Sequence, residues 1–193
     1  MSFRINKPIR RDGIESKGNY RDYRNDLRKD FFYRCGYCDS FDLRRANDFE
    51  IDHFVPQRVF NKFKPNDYSN LVYSCKSCNR SKSGKWITDK EDVNLLNNLG
   101  FIDPCDEEYE KHFIRHNNGD INWNSETGKW MYRELSLFNI QHSVIWMLEN
   151  IRNAIVECKA IIKTKGESEM LKDCLLALFL IEENYLNKLF NDR

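Results

Sequence analysis

Cys35-Gly36-Tyr37-Cys38 and Cys75-Lys76-Ser77-Cys78 are two knuckles of the same CxxC form, and they decide how the chain folds. Together they offer four thiolates, the donor set that closes a tetrahedral zinc site and leaves no position for water. The 36 residues between them exceed the gap of a compact zinc finger. A structural Zn²⁺ held by Cys35, Cys38, Cys75 and Cys78 would therefore clamp a substantial insert between its two halves.

Working inward, the insert carries Glu50-Ile51-Asp52-His53-Phe54-Val55-Pro56-Gln57. Phe49 to Phe54 alternates as a strand does, and Pro56 ends it. Adjacent strand residues point to opposite faces, so Asp52 and His53 serve separate tasks. A carboxylate oxygen suits a hard divalent ion, and a neutral imidazole suits proton abstraction near pH 7. Alone, the dipeptide fits a hydrogen-bonded structural pair better, but its context reverses that reading. Asn70 stands before a second short strand, Leu71 to Tyr73. The segment from Cys75 to Lys85 then places Asn79 at the start of a helix expected to run through Lys85. The order is knuckle, strand, loop, strand, knuckle, helix.

In that order CGYC, EIDHFVPQ, SNLVYSC and CKSCNRSKSGK resemble the HNH endonuclease family over about residues 31–86. The resemblance implies an α+β fold: a zinc-stapled ββα-metal nuclease core with a mostly α-helical C-terminal extension. It implies that His53 is the general base activating water against a DNA phosphodiester, with Asp52 as a metal ligand beside it. Asn70 would brace the loop and orient the base, and Asn79 would be a second metal ligand. Many members have His at that last position, so this is an HNN variant. Its oxygen-rich donor set suits Mg²⁺ or Mn²⁺. Arg80, Lys82 and Lys85 after Asn79, with Arg58, Lys62 and Lys64 between the strands, are the expected phosphate contacts. The rival reading is a zinc-dependent nucleic-acid-binding module that does not cut, which has no need of Asp52, His53 and Asn79 together.

The rest of the chain sets bounds. Of 193 residues, 13% are aromatic and 32% charged, and the 13 Phe, 9 Tyr and 4 Trp exclude a disordered chain. No run approaches the roughly 18 apolar residues of a membrane span. MSFRINKPIRRDG has no apolar leader, so a cytoplasmic location with reduced cysteines is expected. The net charge of +1 hides an asymmetry. Residues 1–90 hold 20 Lys and Arg against 12 Asp and Glu, and residues 91–193 hold 11 against 18. Three regions are read: a basic arm and helix (1–30), the nuclease core (31–90) and an acidic, mainly helical region (91–193).

Within these regions helical spacing marks 19–32, and a short helix is expected over Lys90 to Asn98. A hairpin is expected over Phe113 to Trp123, and two long amphipathic helices follow from about Asn139. Cys158 and Cys174 fall on the apolar stripes, as buried residues would, while Cys105 has no local partner. The layout resembles small bacterial HNH proteins that act as the nuclease half of two-component anti-phage systems, Septu-type pairs with an ATPase included. On that reading the helical region docks the ATPase; its alternative role is a scaffold that completes the core.

Overall fold

In a computed structural model, residues 2–42 and 48–191 are described, with side chains placed as far as Leu189. Two units are distinguished, residues 1–138 and 139–193. The first begins with an extended arm, a 3₁₀ turn at Tyr20–Tyr23 and helix α1 (Arg24–Asp30). Asn19 caps the turn, its side chain accepting from the Arg21 amide. The arm is not a free basic tail. Phe3 and Arg4 are buried, and Arg10 donates to the Leu71 carbonyl at 2.7 Å and to Asp103 at 2.9 Å.

Strand β1 (Phe49–His53) pairs antiparallel with β2 (Leu71–Cys75), Phe49 opposite Cys75 and His53 opposite Leu71. Helix α2 (Lys76–Lys82) follows at once, its first turn capped by the Cys75 sulfur, which accepts from the Cys78 amide at 3.5 Å. The expected ββα order is thus formed, with α2 ending three residues before Lys85. Ser83 ends it at φ 48 and donates its amide to the Asn79 carbonyl. The first knuckle packs on this hairpin through Gly36, whose amide donates to the Tyr73 carbonyl at 2.8 Å. A Cβ there would lie 2.7 Å from the Phe31 ring and 2.8 Å from Val72, so the approach needs glycine.

The helix expected over Lys90 to Asn98 is absent. Strand β3 (Leu95–Leu96) instead turns back into β4 (Leu99–Gly100). Asn97 and Asn98 take φ 51 and 64, the left-handed pair that a two-residue hairpin turn requires and a helix forbids. The expected hairpin over Phe113 to Trp123 forms as β5 (Phe113–Arg115) and β6 (Ile121–Trp123). Helix α3 (Glu126–Glu134), which the sequence did not announce, is capped by Ser125. Gly128 conceals it in the sequence, yet a Cβ there would meet the His112 carbonyl oxygen at 2.2 Å.

The second unit is the expected pair of long helices, α4 (Ile140–Lys165) and α5 (Glu169–Asn191), which pack on each other. Arg152 on α4 meets Glu182 on α5 at 2.6 Å. Cys158 is buried as expected, whereas Cys174 is exposed. Leu171, Leu175, Leu178, Tyr185 and Leu189 form the half-buried stripe of α5, and Cys174 stands beside it. Among the described residues, no helix is long and apolar enough to cross a membrane.

Candidate functional site

The four sulfurs of Cys35, Cys38, Cys75 and Cys78 lie within 4.8 Å of one another, all buried. Cys38 and Cys75 are 3.8 Å apart, which matches the edge of a tetrahedron with metal–sulfur bonds of about 2.3 Å. Burial pushes the Cys78 thiol well up, so four thiolates here need a cation to offset their charge. The cluster fits structural zinc. Polar groups hold the first knuckle from outside. Arg115 donates to the Cys38 carbonyl at 2.6 Å, Arg4 to the Gly36 carbonyl, and the Tyr109 hydroxyl to the Tyr37 carbonyl at 2.8 Å.

On β1 the alternation separates Asp52 from His53 as expected. Asp52 is buried, and its Oδ2 accepts from the Tyr37 hydroxyl at 2.5 Å and from Lys82 Nζ at 2.9 Å. Burial pushes its carboxyl up, and Lys82 and Tyr37 pull against that. His53 is half-buried, edge-on to the rings of Tyr20 at 4.8 Å and Phe60 at 5.7 Å. His53 Nε2 lies 2.8 Å from the Pro65 carbonyl oxygen. A carbonyl only accepts, so Nε2 carries the proton of the neutral ring and Nδ1 keeps the lone pair.

Asn70 is buried directly behind this segment. Its Oδ1 accepts from the Val55 amide at 2.9 Å, and its Nδ2 donates to the Val55 carbonyl at 3.0 Å. Its own carbonyl accepts from the Phe54 amide at 2.8 Å. One residue therefore ties down the chain on the C-terminal side of His53. Asn79, on α2, donates from Nδ2 to Glu50 Oε2 at 2.7 Å. Glu50 was not singled out from the sequence, although it lies two residues before Asp52 and so on the same face of β1. Among the described residues, no hydrogen bond reaches Asp52 Oδ1, Glu50 Oε1 or Asn79 Oδ1. These are oxygen donors of the kind a hard divalent ion takes.

The six cations expected at phosphate separate into two groups. Arg80, Lys62 and Lys64 are exposed, and their cationic groups form no ion pair among the described residues. Lys82 departs from expectation: it is fully buried, its ammonium bonded to Asp52 and to the His53 carbonyl at 2.9 Å. Arg58 donates to the carbonyls of Gly84 and Trp86 at 2.7 and 3.1 Å. Lys85 pairs with Glu134 at 2.7 Å. Arg80 and Lys82 stand two apart on α2 and so point to different faces, and the sequence did not say which of those faces is buried. Tyr20, Phe60 and Pro65 were also silent in the sequence, since they reach His53 only through the tertiary fold.

Residues 35–85 match the family model described as HNH endonuclease. The chain is also 25% identical over 126 residues to the Septu protein PtuB of Bacillus mycoides (strain KBAB4). That match covers 55% of this chain and 42% of the relative, so the chain spans less than half the length of that protein. No solved structure matches.

Proposed function

We propose that this protein, whose residues 35–85 match the HNH endonuclease family model, hydrolyses DNA phosphodiester bonds with the help of one Mg²⁺ or Mn²⁺. The observation that carries the reading is the 2.8 Å contact between His53 Nε2 and the Pro65 carbonyl oxygen. With Nε2 engaged by the Pro65 carbonyl, Nδ1 is free to accept a proton from an attacking water. As the water oxygen bonds to phosphorus, its proton passes to Nδ1, one P–O ester bond breaks, and the departing oxygen takes a proton from solvent. Asn70 keeps His53 in place through the backbone of Val55. Asp52 and Asn79, with Glu50 between them in role, supply oxygens to the divalent ion. When bound, that ion stabilises charge on the scissile phosphate and the leaving oxygen. Arg80, Lys62 and Lys64 supply the salt-dependent attraction to the backbone. Zn²⁺ at the four cysteines holds the scaffold and takes no part in the chemistry.

The likeness to a Septu protein supports a role in defence; action with a second protein, an ATPase docked through the helical unit, is a further part of the proposal. The test of the core reading is cleavage of plasmid by purified protein with Mg²⁺, Mn²⁺ or EDTA. Cutting that needs a divalent ion and is lost in His53→Ala supports it. Retained DNA binding with no cutting under any metal supports the non-cleaving module instead.

A further inference from the structure

The residue inside the first knuckle reaches the reaction centre. Tyr37 lies between Cys35 and Cys38 and is fully buried. Its carbonyl is held by the Tyr109 hydroxyl at 2.8 Å, and its own hydroxyl donates to Asp52 Oδ2 at 2.5 Å. Lys82, also fully buried, donates to the same oxygen at 2.9 Å and to the His53 carbonyl. Two donors thus occupy Oδ2, while Oδ1 has no partner among the described residues. A carboxylate free to turn could offer a cation either oxygen or both. Here one oxygen is fixed from behind.

We infer that Tyr37 is a positioning residue that joins the four-cysteine centre to the catalytic metal site, holding Asp52 by Oδ2 so that Oδ1 alone faces the divalent ion. The inference rests on the reading of Asp52 as a ligand of that ion. Its physical content is pre-organisation. Outer partners of a metal ligand fix its orientation, and losing one typically costs about 10–100-fold in metal affinity or activity. Lys82 adds the second bond but also a positive charge that repels the ion, so its removal would mix two opposed effects. Removing the Tyr37 hydroxyl deletes a neutral donor and leaves the ring and the charge of the site unchanged. The arrangement also makes the first knuckle more than a staple. Displacing Cys35–Cys38 would move Tyr37, and with it the orientation of Asp52.

The experiment is a Mn²⁺ titration of zinc-loaded, DNA-free protein, read by the loss of the free-ion paramagnetic resonance signal, with zinc content measured alongside. Tyr37→Phe should keep its zinc and bind Mn²⁺ about tenfold more weakly than wild type. The matched control is Tyr73→Phe. Tyr73 donates to buried Asp42 at 2.5 Å, a bond of the same kind away from the site. That variant should leave the Mn²⁺ midpoint unchanged. A structural role alone would lower thermal stability in both variants and separate neither midpoint. Should Tyr37→Phe lose zinc, Tyr109→Phe frees the Tyr37 carbonyl with the phenol kept, and should shift the midpoint the same way by less. Wild type that binds Mn²⁺, with a Tyr37→Phe midpoint within twofold of it, overturns this inference and leaves the nuclease reading standing. Wild type that neither binds Mn²⁺ nor cuts overturns the nuclease reading itself.

Discussion

Asn70 and His53 carry different burdens, and substitutions should separate them. Asn70→Ala leaves the amide and carbonyl of Val55 buried without partners. Each such orphan costs about 1–3 kcal/mol, so urea denaturation should show a loss of roughly 2–6 kcal/mol, with cleavage reduced as His53 loosens. A variant as stable as wild type would mean that the loop after β1 is held by something else. His53→Ala exposes no buried polar group of that kind, so folding and DNA binding should persist while cleavage falls on the order of a hundredfold or more. At this scale the sequence was informative where a residue's role follows from its neighbours along the chain. The placement of Asp52 and His53 on opposite faces of β1 and of Asn79 on α2 was read in this way. It was uninformative where the role comes from across the fold. Lys82 read as a surface cation because the sequence cannot show that its helix turns that face toward Asp52. Tyr37 and Pro65 had no signal in the sequence.

Elements were legible where apolar periodicity or knuckle spacing fixed them: β1, β2, α2 and the two long helices. They were illegible where backbone handedness decided, as at Asn97 and Asn98, whose positive φ angles make a hairpin from an expected helix. The junction of β2 and α2 is the element boundary most dependent on metal, since Cys75 closes the strand, caps the helix and belongs to the sulfur cluster. Elemental analysis should find about one zinc per chain. Cys75→Ser or prolonged chelation should lose that zinc together with the near-ultraviolet circular dichroism of the first unit, because binding and folding are coupled in such sites. A metal-free wild type with undiminished near-ultraviolet signal would contradict the zinc assignment.

Across the whole molecule, charge is distributed differently from what the two halves of the sequence suggested. Residues 91–138 hold 4 Lys and Arg against 10 Asp and Glu, whereas residues 139–193 hold 7 against 8. The acidic excess therefore precedes the long helices. Among the described residues, three cations of the basic half, Arg4, Arg34 and Lys82, are also internal. With Arg80, Lys62 and Lys64 as phosphate contacts, Arg80→Glu should weaken binding to all DNA sequences alike and reduce the salt slope by about 0.9. Unchanged affinity would place the DNA elsewhere. The helical unit presents Leu176 and Leu180 to solvent, 59% and 54% exposed, so they are the positions at which to probe protein docking. Leu180→Glu should weaken association with a partner protein and leave DNA affinity unchanged. Glu182 is a poor choice for that purpose, because it is engaged by Arg152.

Hydrolysis by His53 beside an oxygen-bound divalent ion, as proposed, is put to the test by one comparison. Supercoiled plasmid is incubated with zinc-loaded wild type and His53→Ala in Mg²⁺ or Mn²⁺, with EDTA added in parallel, and nicked and linear products are measured over time. Wild type should cut in Mg²⁺ or Mn²⁺ and not in EDTA, and His53→Ala should cut more slowly by a factor on the order of a hundred or more. Equal cutting by the two proteins would contradict it.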